Sequence, residues 1–262
     1  VCSAIGRIDL QGKIKEFPLA GTGIGRPSGG IVSAPDGALW FGAGSNIGRI
    51  TTSGTISVHA IPLKNFIVNA LTVGADRAIW FGGYVGDTGA SAIGRMTTTG
   101  DVRLVAQIPS IPWAITRASD GAIWFTEDYP AAICRLWEDH LQTFRLAEAD
   151  ADPEGVTEGW DGNIWFTEKH SGKIGRIDSK RTIREFMTSG DYDEPIPIAR
   201  GPLQSVWYGG VTELGRVSSN GTIRGYWPRS PNGELYGVVE GPDGAIWFTE
   251  YNIDAIGRIV VH

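Results

Sequence analysis

A tryptophan followed by a second aromatic residue recurs six times in this chain, at Trp40, Trp80, Trp124, Trp165, Trp207 and Trp247. The spacings are 40, 44, 41, 42 and 40 residues. A period near forty signals one supersecondary unit copied along the chain. Each dipeptide is followed by an I-G-R-I-like run that carries Arg49, Arg95, Arg135, Arg176, Arg216 or Arg258, and a further copy with Arg7 opens the chain. One unit reads as four strands. Strand A begins with a pair such as Gly30-Ile31 or Gly155-Val156, and a P-D-G type turn leads into strand B (AIWFTE). A variable segment precedes strand C (IGRI), and an S-G or N-G turn leads to strand D. Asp-Gly and Asn-Gly between alternating hydrophobic residues are strong signals of tight hairpins. Four short strands in each unit of this length predict an all-β fold, a β-propeller of four-stranded antiparallel blades.

In AIWFTE, Ile and Phe project from one face of the strand, and Trp and Thr from the other. Large apolar groups on both faces need cover on both faces, which blades stacked side by side supply and a two-layer sandwich does not. Strands A, B and D each occur six times and strand C seven times. Six blades are expected, with residues 1–262 forming one propeller domain closed by pairing of the N-terminal KIKEF strand with the last sheet. A seventh, incomplete blade is the alternative.

No run approaches the eighteen or more apolar residues of a membrane helix. The segment VCSAIGRIDL has neither a basic leader nor an apolar core, so it does not read as a signal peptide. The net charge of −6 is dispersed, without the basic stripe that phosphate neutralisation requires. Neither nucleic acid nor membrane is an expected partner, the chain is expected to be a monomer, and its compartment stays open. Cys2 and Cys134 hold similar places in distant repeats, so two free thiols are expected. The glycine-rich runs GTGIGRPSGG and GGYVGDTGAS lack the strand–helix setting of a phosphate-binding loop and read as turns.

The A–B and C–D turns are short and uniform, whereas the B–C and D–A connections vary in length and chemistry. Varied loops on a rigid frame are where binding sites gather, so the second set should surround the functional mouth of the channel. At the start of strand A stand Gly29, Asn69, Trp113, Glu154, Ile196 and Tyr236. At the end of strand B stand Glu127, Glu168 and Glu250, with Ala43, Gly83 and Gly210 in the other repeats. Asn69, Trp113, Glu154, Ile196, Tyr236, Glu127, Glu168 and Glu250 are the candidate ligand-binding residues. The competing expectation is that the aromatic residues plug the channel and the strand-B glutamates are solvated or bond loop N–H groups. His170 beside Glu168 invites a metal or acid–base reading. The acidic runs Glu148-Ala149-Asp150-Ala151-Asp152 and Asp191-Tyr192-Asp193-Glu194 could hold Ca²⁺, with solvated loops as the plainer reading.

The units PDGAIWFTE, AIGRI and G-x-I-x-E-F resemble the virginiamycin B lyase (streptogramin B lyase) family along almost the whole chain. That resemblance implies a propeller, commonly of seven blades. It also implies a lyase that opens a cyclic depsipeptide ester by elimination with Mg²⁺, through a Glu-x-His motif at one strand-A start and a second histidine at the preceding one. The matching positions here are Glu234-Leu235-Tyr236 and Ile196, so tyrosine and isoleucine stand in the histidine places. Three functions follow as expectations. The first is a propeller that binds a small molecule or peptide at the channel mouth. The second is a lyase or hydrolase using carboxylates, with Mg²⁺ or Ca²⁺ as the candidate cofactor, its candidate catalytic residues being Glu234, Tyr236 and Glu154. The third is a protein-interaction scaffold.

Overall fold

The structure, a computed structural model, describes residues 3–190, 193–228 and 233–261. Its contacts divide into two compact units, residues 1–115 with 137–140, and residues 116–136 with 141–262. In the first unit, β1 (Ala4–Ile8) and β2 (Ile14–Pro18) form a two-stranded sheet. Blade 1 follows as β3 (Ser28–Ser33), β4 (Ala38–Ala43), β5 (Asn46–Thr51) and β6 (Ile56–Ala60). Blade 2 is β7 (Phe66–Val73), β8 (Ile79–Val85), β9 (Ser91–Met96) and β10 (Val102–Ile108).

The second unit carries most of blade 3, which is β11 (Ile115–Arg117), β12 (Ile123–Glu127), β13 (Ala132–Trp137) and β14 (His140–Arg145). Blade 4 is β15 (Pro153–Glu158), β16 (Ile164–Glu168), β17 (Lys173–Ile177) and β18 (Ile183–Met187). Blade 5 is β19 (Ile198–Gly201), β20 (Ser205–Gly209), β21 (Leu214–Val217) and β22 (Ile223–Tyr226). Blade 6 has three strands, β23 (Leu235–Glu240), β24 (Ile246–Glu250) and β25 (Ala255–Ile259). This is the all-β, six-bladed propeller that the period predicts. One 3-10 turn, Tyr251–Ile253, is the only helix among the described residues, and no helix is long and apolar enough to cross a membrane.

The repeated residues each have a physical job. In every blade the strand-B tryptophan lies directly across from the strand-C arginine, as in Trp40–Arg49 and Trp247–Arg258. In blades 1, 2 and 6 the aspartate of the A–B turn joins them. Asp36 accepts the Ala38 backbone N–H at 3.2 Å, the Trp40 indole N–H at 3.3 Å and Arg49 Nε at 2.7 Å. Burial works against the ionised Asp36 carboxyl, but these bonds outweigh it and hold its pKa below 3.8. The glycine of strand C lies under the second aromatic ring. A Cβ added at Gly48, Gly94, Gly175, Gly215 or Gly257 would fall 2.0–2.3 Å from that ring.

The tryptophans also join blade to blade. Trp40 packs with Phe66, Ile79 and Phe81 of blade 2, Trp165 with Val206 and Tyr208 of blade 5, and Trp207 with Leu235, Ile246 and Phe248 of blade 6. Ile5 and Phe17 of the two-stranded sheet pack against Phe41 and Ile50 of blade 1. Both faces of a blade are therefore covered, as the alternation of AIWFTE requires. Cys134 is a buried free thiol whose pKa burial pushes up to about 12, and Cys2 lies outside the described residues.

Candidate functional site

The starts of strand A share one local device, a β-bulge. Pairing of β7 with β8 skips from Val68 to Ala70, and that of β23 with β24 from Leu235 to Gly237, leaving Asn69 and Tyr236 as the extra residues. In β15 the register jumps from Pro153 to Val156 across Glu154, and in β3 from Ser28 to Ile31 across Gly29. A bulge releases a residue from the ladder and re-aims its side chain, and bulges are common beside active sites. Four of the six positions picked from sequence stand at one.

In the second unit these positions meet a charged cluster. Lys169 Nζ lies 3.7 Å from Glu154 Oε1 and 3.9 Å from Asp152 Oδ2. His170 Nε2 lies 3.5 Å from the same Asp152 oxygen, and its Nδ1 is 3.2 Å from the Asp150 carbonyl oxygen. Burial first, and the Asp152 charge second, push the Glu154 pKa up to about 7 against the pull of Lys169. Tyr236 feels Lys169, Glu154 and Glu234 together, and its phenol is raised above 10, by burial first and then by Glu234. Its ring leans on Tyr251, with centroids 5.1 Å apart and planes at 50°.

Two cavities open here. One of about 90 Å³ is lined by Lys169, Glu194, Ile196, Gly210, Val211, Glu234, Leu235 and Tyr236. A larger one of about 720 Å³ shares Lys169 and Glu194 and continues over His170, Thr188 and Asp193. Glu154, Ile196, Tyr236 and Glu234 thus share one rim across blades 4 to 6. Asn69 and Trp113 belong to the first unit. The Asn69 side-chain nitrogen is buried without a hydrogen-bond partner, and Trp113 is partly exposed.

The strand-B glutamates lie inside the blades. Glu127, Glu168 and Glu250 are buried, and both carboxylate oxygens of Glu127 and Glu168 and one of Glu250 lack a hydrogen-bond partner. The reason is their place in the ladder: Glu168 is the last residue of its strand, paired with Pro153 on one side and Lys173 on the other, and the next residue lies past the strand end. That next residue is Lys169 in blade 4 and Tyr251 in blade 6, two rim residues absent from the candidates read from sequence. Their signal was the position directly after the T-E of strand B.

Blade 5 reaches the same arrangement by another route. The residue after its strand B is Gly210, and a Cβ there would lie 1.8 Å from Asp193 Oδ1. Asp193, from the preceding D–A loop, puts its carboxyl where the other blades place a strand-B glutamate. Burial, with the nearby charge of Glu213, raises the Asp193 pKa to about 7.

The acidic runs do not converge on a cation. Glu148 bonds Lys173 Nζ and Ser171 Oγ at 2.7 Å each, Asp152 faces Lys169 and His170, and Asp191 and Tyr192 lie outside the described residues. Glu168 is enclosed while the neighbouring His170 is exposed, so the two do not form a site. Among the described residues no three His, Cys, Asp or Glu side chains come together as a metal site. The described residues of the rim therefore bring together no ligand set for the Mg²⁺ centre that the resemblance implies.

Comparison with known proteins agrees with this architecture. The chain is 32% identical to a catalytically inactive virginiamycin B lyase from Staphylococcus aureus, solved with quinupristin. The match covers 99% of this chain and 88% of that one with a TM-score of 0.88. A streptogramin B lyase structure is 28% identical over 98% of this chain and 86% of that one, with a TM-score of 0.85. A gluconolactonase from Xanthomonas campestris, 18% identical over 87% of this chain and 84% of that one with a TM-score of 0.65, shares the fold alone. No curated protein sequence matches. The Virginiamycin B lyase family profile matches residues 2–140 and 139–262, and the chain accordingly belongs to that family.

Proposed function

We propose that this chain is a binding member of its family. It holds a small molecule or peptide on the rim of blades 4 to 6 and does not catalyse the elimination that opens a cyclic depsipeptide. The observation that carries this reading is Tyr236. The resemblance assigns to Tyr236 the place of the histidine in the Glu-x-His motif, and its phenol is raised above its ordinary pKa of 10, whereas proton abstraction at neutral pH needs a base that titrates near 7. The cavities beside Tyr236, lined by Lys169, Glu194 and Glu234, supply a concave, mixed-polarity surface suited to a ligand. One observation favours a second reading, a lyase or hydrolase. Glu154 has its pKa near 7 beside Lys169, which suits a general base.

The test is incubation with quinupristin, with and without Mg²⁺, followed by chromatographic separation of closed and opened rings, alongside calorimetric binding. The binding reading expects no ring opening, and saturable binding that Tyr236→Ala weakens. Ring opening by the wild-type protein overturns it, and its loss in Glu154→Gln would establish the second reading instead.

A further inference from the structure

The smaller cavity at the rim, about 90 Å³, has two carboxylates on its wall, Glu194 ahead of β19 and Glu234 ahead of β23. Among the described residues neither side chain has an ion pair or a hydrogen bond. Their charge still reaches their neighbours, since Glu194 disfavours ionisation of Asp193 and Glu234 that of Tyr236. Lys169, the basic group on the same wall, is held by other carboxylates, its Nζ 3.7 Å from Glu154 and 3.9 Å from Asp152. A further acid stands behind the wall. Asp193 is 2% exposed, lines the larger cavity, and sets its Oδ1 where a side chain at Gly210 of the smaller cavity would begin. The backbone N–H groups of Val211 and Thr212 lie near it, yet neither carboxylate oxygen completes a hydrogen bond. Negative charge thus exceeds positive around the cavity, while Ile196, Val211 and Leu235 supply apolar wall.

We propose that this cavity holds the primary alkylammonium end of a small-molecule ligand, with Glu194 and Glu234 accepting its N–H groups and Ile196, Val211 and Leu235 packing along its methylenes. This inference rests on the binding reading above and gives it a ligand class. A primary ammonium offers several N–H donors and a full charge, which two unpaired carboxylates can share. Hydrogen bonds between ionised partners are the strong ones. Space sets a limit of its own. A volume of about 90 Å³ holds roughly three water-sized groups, enough for the nitrogen and a pair of methylenes but not for a trimethylated head. The remainder of the ligand lies in the cavity of about 720 Å³, which shares Lys169 and Glu194 with the smaller one.

Ligand-observed NMR or calorimetry at pH 7.5 with n-butylamine, 1-butanol and butyltrimethylammonium tests the class directly. The primary amine should bind roughly 10-fold or more tightly than the neutral alcohol, and by a similar factor over the trimethylated ion, which lacks N–H donors. Glu194→Gln and Glu234→Gln, which keep side-chain shape, should each weaken n-butylamine roughly 3- to 10-fold and leave 1-butanol within about 2-fold. Lys169→Met should tighten n-butylamine, because it removes a positive charge and frees Glu154 and Asp152. Melting curves of the variants check that the blades are intact. Equal affinity for 1-butanol overturns the ammonium assignment and leaves the binding reading standing. Absence of n-butylamine binding, tighter binding of the trimethylated ion, or indifference to both glutamine variants also overturns the assignment, whereas ring opening of quinupristin bears on the binding reading alone.

Discussion

Replacing Glu168 with glutamine should stabilise the protein at alkaline pH and leave it nearly unchanged near pH 5. The Glu168 side chain is 0% exposed and neither carboxylate oxygen has a hydrogen-bond partner. The cation that acts on it, Lys173, is already engaged, with Nζ 2.7 Å from Glu148 and 3.0 Å from Glu185. Burial, reinforced by the Glu185 charge, lifts the Glu168 pKa from its ordinary 4.5 to about 7. Between those two values the folded chain keeps a proton that the unfolded chain has released. The contribution to stability is therefore whole below pH 4.5 and is lost as the pH rises through 7. A gap of roughly two and a half pH units, at about 1.4 kcal/mol each, is worth about 3 kcal/mol. Glutamine is neutral throughout and escapes that loss. In a domain of this size the difference corresponds to about 6–12 °C in melting temperature.

Thermal melts of wild type, Glu168→Gln and Glu168→Met from pH 4.5 to 8.5 would measure it. The advantage of both variants should be small at pH 5, grow through pH 6 and level off near pH 8. Parallel curves at all pH values, or variants less stable than wild type at pH 8, would refute the reasoning.

Three further outcomes follow from the same geometry. Leu203 and Gln204 occupy the A–B turn of blade 5 with φ of 60° and 51°, so the double change Leu203→Asn, Gln204→Gly should raise the denaturation free energy by about 1–2 kcal/mol in a urea titration. Cys134, buried and with its pKa at about 12, should resist a thiol-specific chromophore in native buffer and react fully in denaturant. Gly210→Ala should destabilise the chain by about 1–3 kcal/mol because its methyl would strike the Asp193 carboxyl, and Asp193→Gly in the same chain should recover most of that loss.

The fold was legible because its signals are local and repeated: Asp-Gly turns, the Trp-aromatic pair, and a strand C whose glycine admits the ring above it. The rim positions were legible for a related reason, since the start of strand A can be located by counting back from each turn. What escaped was non-local. Lys169 and Tyr251 each follow the T-E of strand B at a fixed position, but their approach to Glu154 and Tyr236 exists only once strands A and B pair. The glutamates of strand B end the strand while still in the ladder, as Glu168 does between Pro153 and Lys173, so they lie within the blade, a pairing that one strand's own sequence does not display. Asp193 filling the space above Gly210 joins a loop to a strand of the next blade, a relation with no signature in either segment.

The bulged residues at the starts of strand A have a consequence for how this scaffold tolerates change. A side chain carried on the surplus residue of a bulge, as at Asn69 and Tyr236, is not needed by the neighbouring strand to keep its register. Changing the side chain there leaves the register of the blade intact, so the frame admits different chemistry one bulged residue at a time. The four bulged positions, Gly29, Asn69, Glu154 and Tyr236, already carry four different residue types.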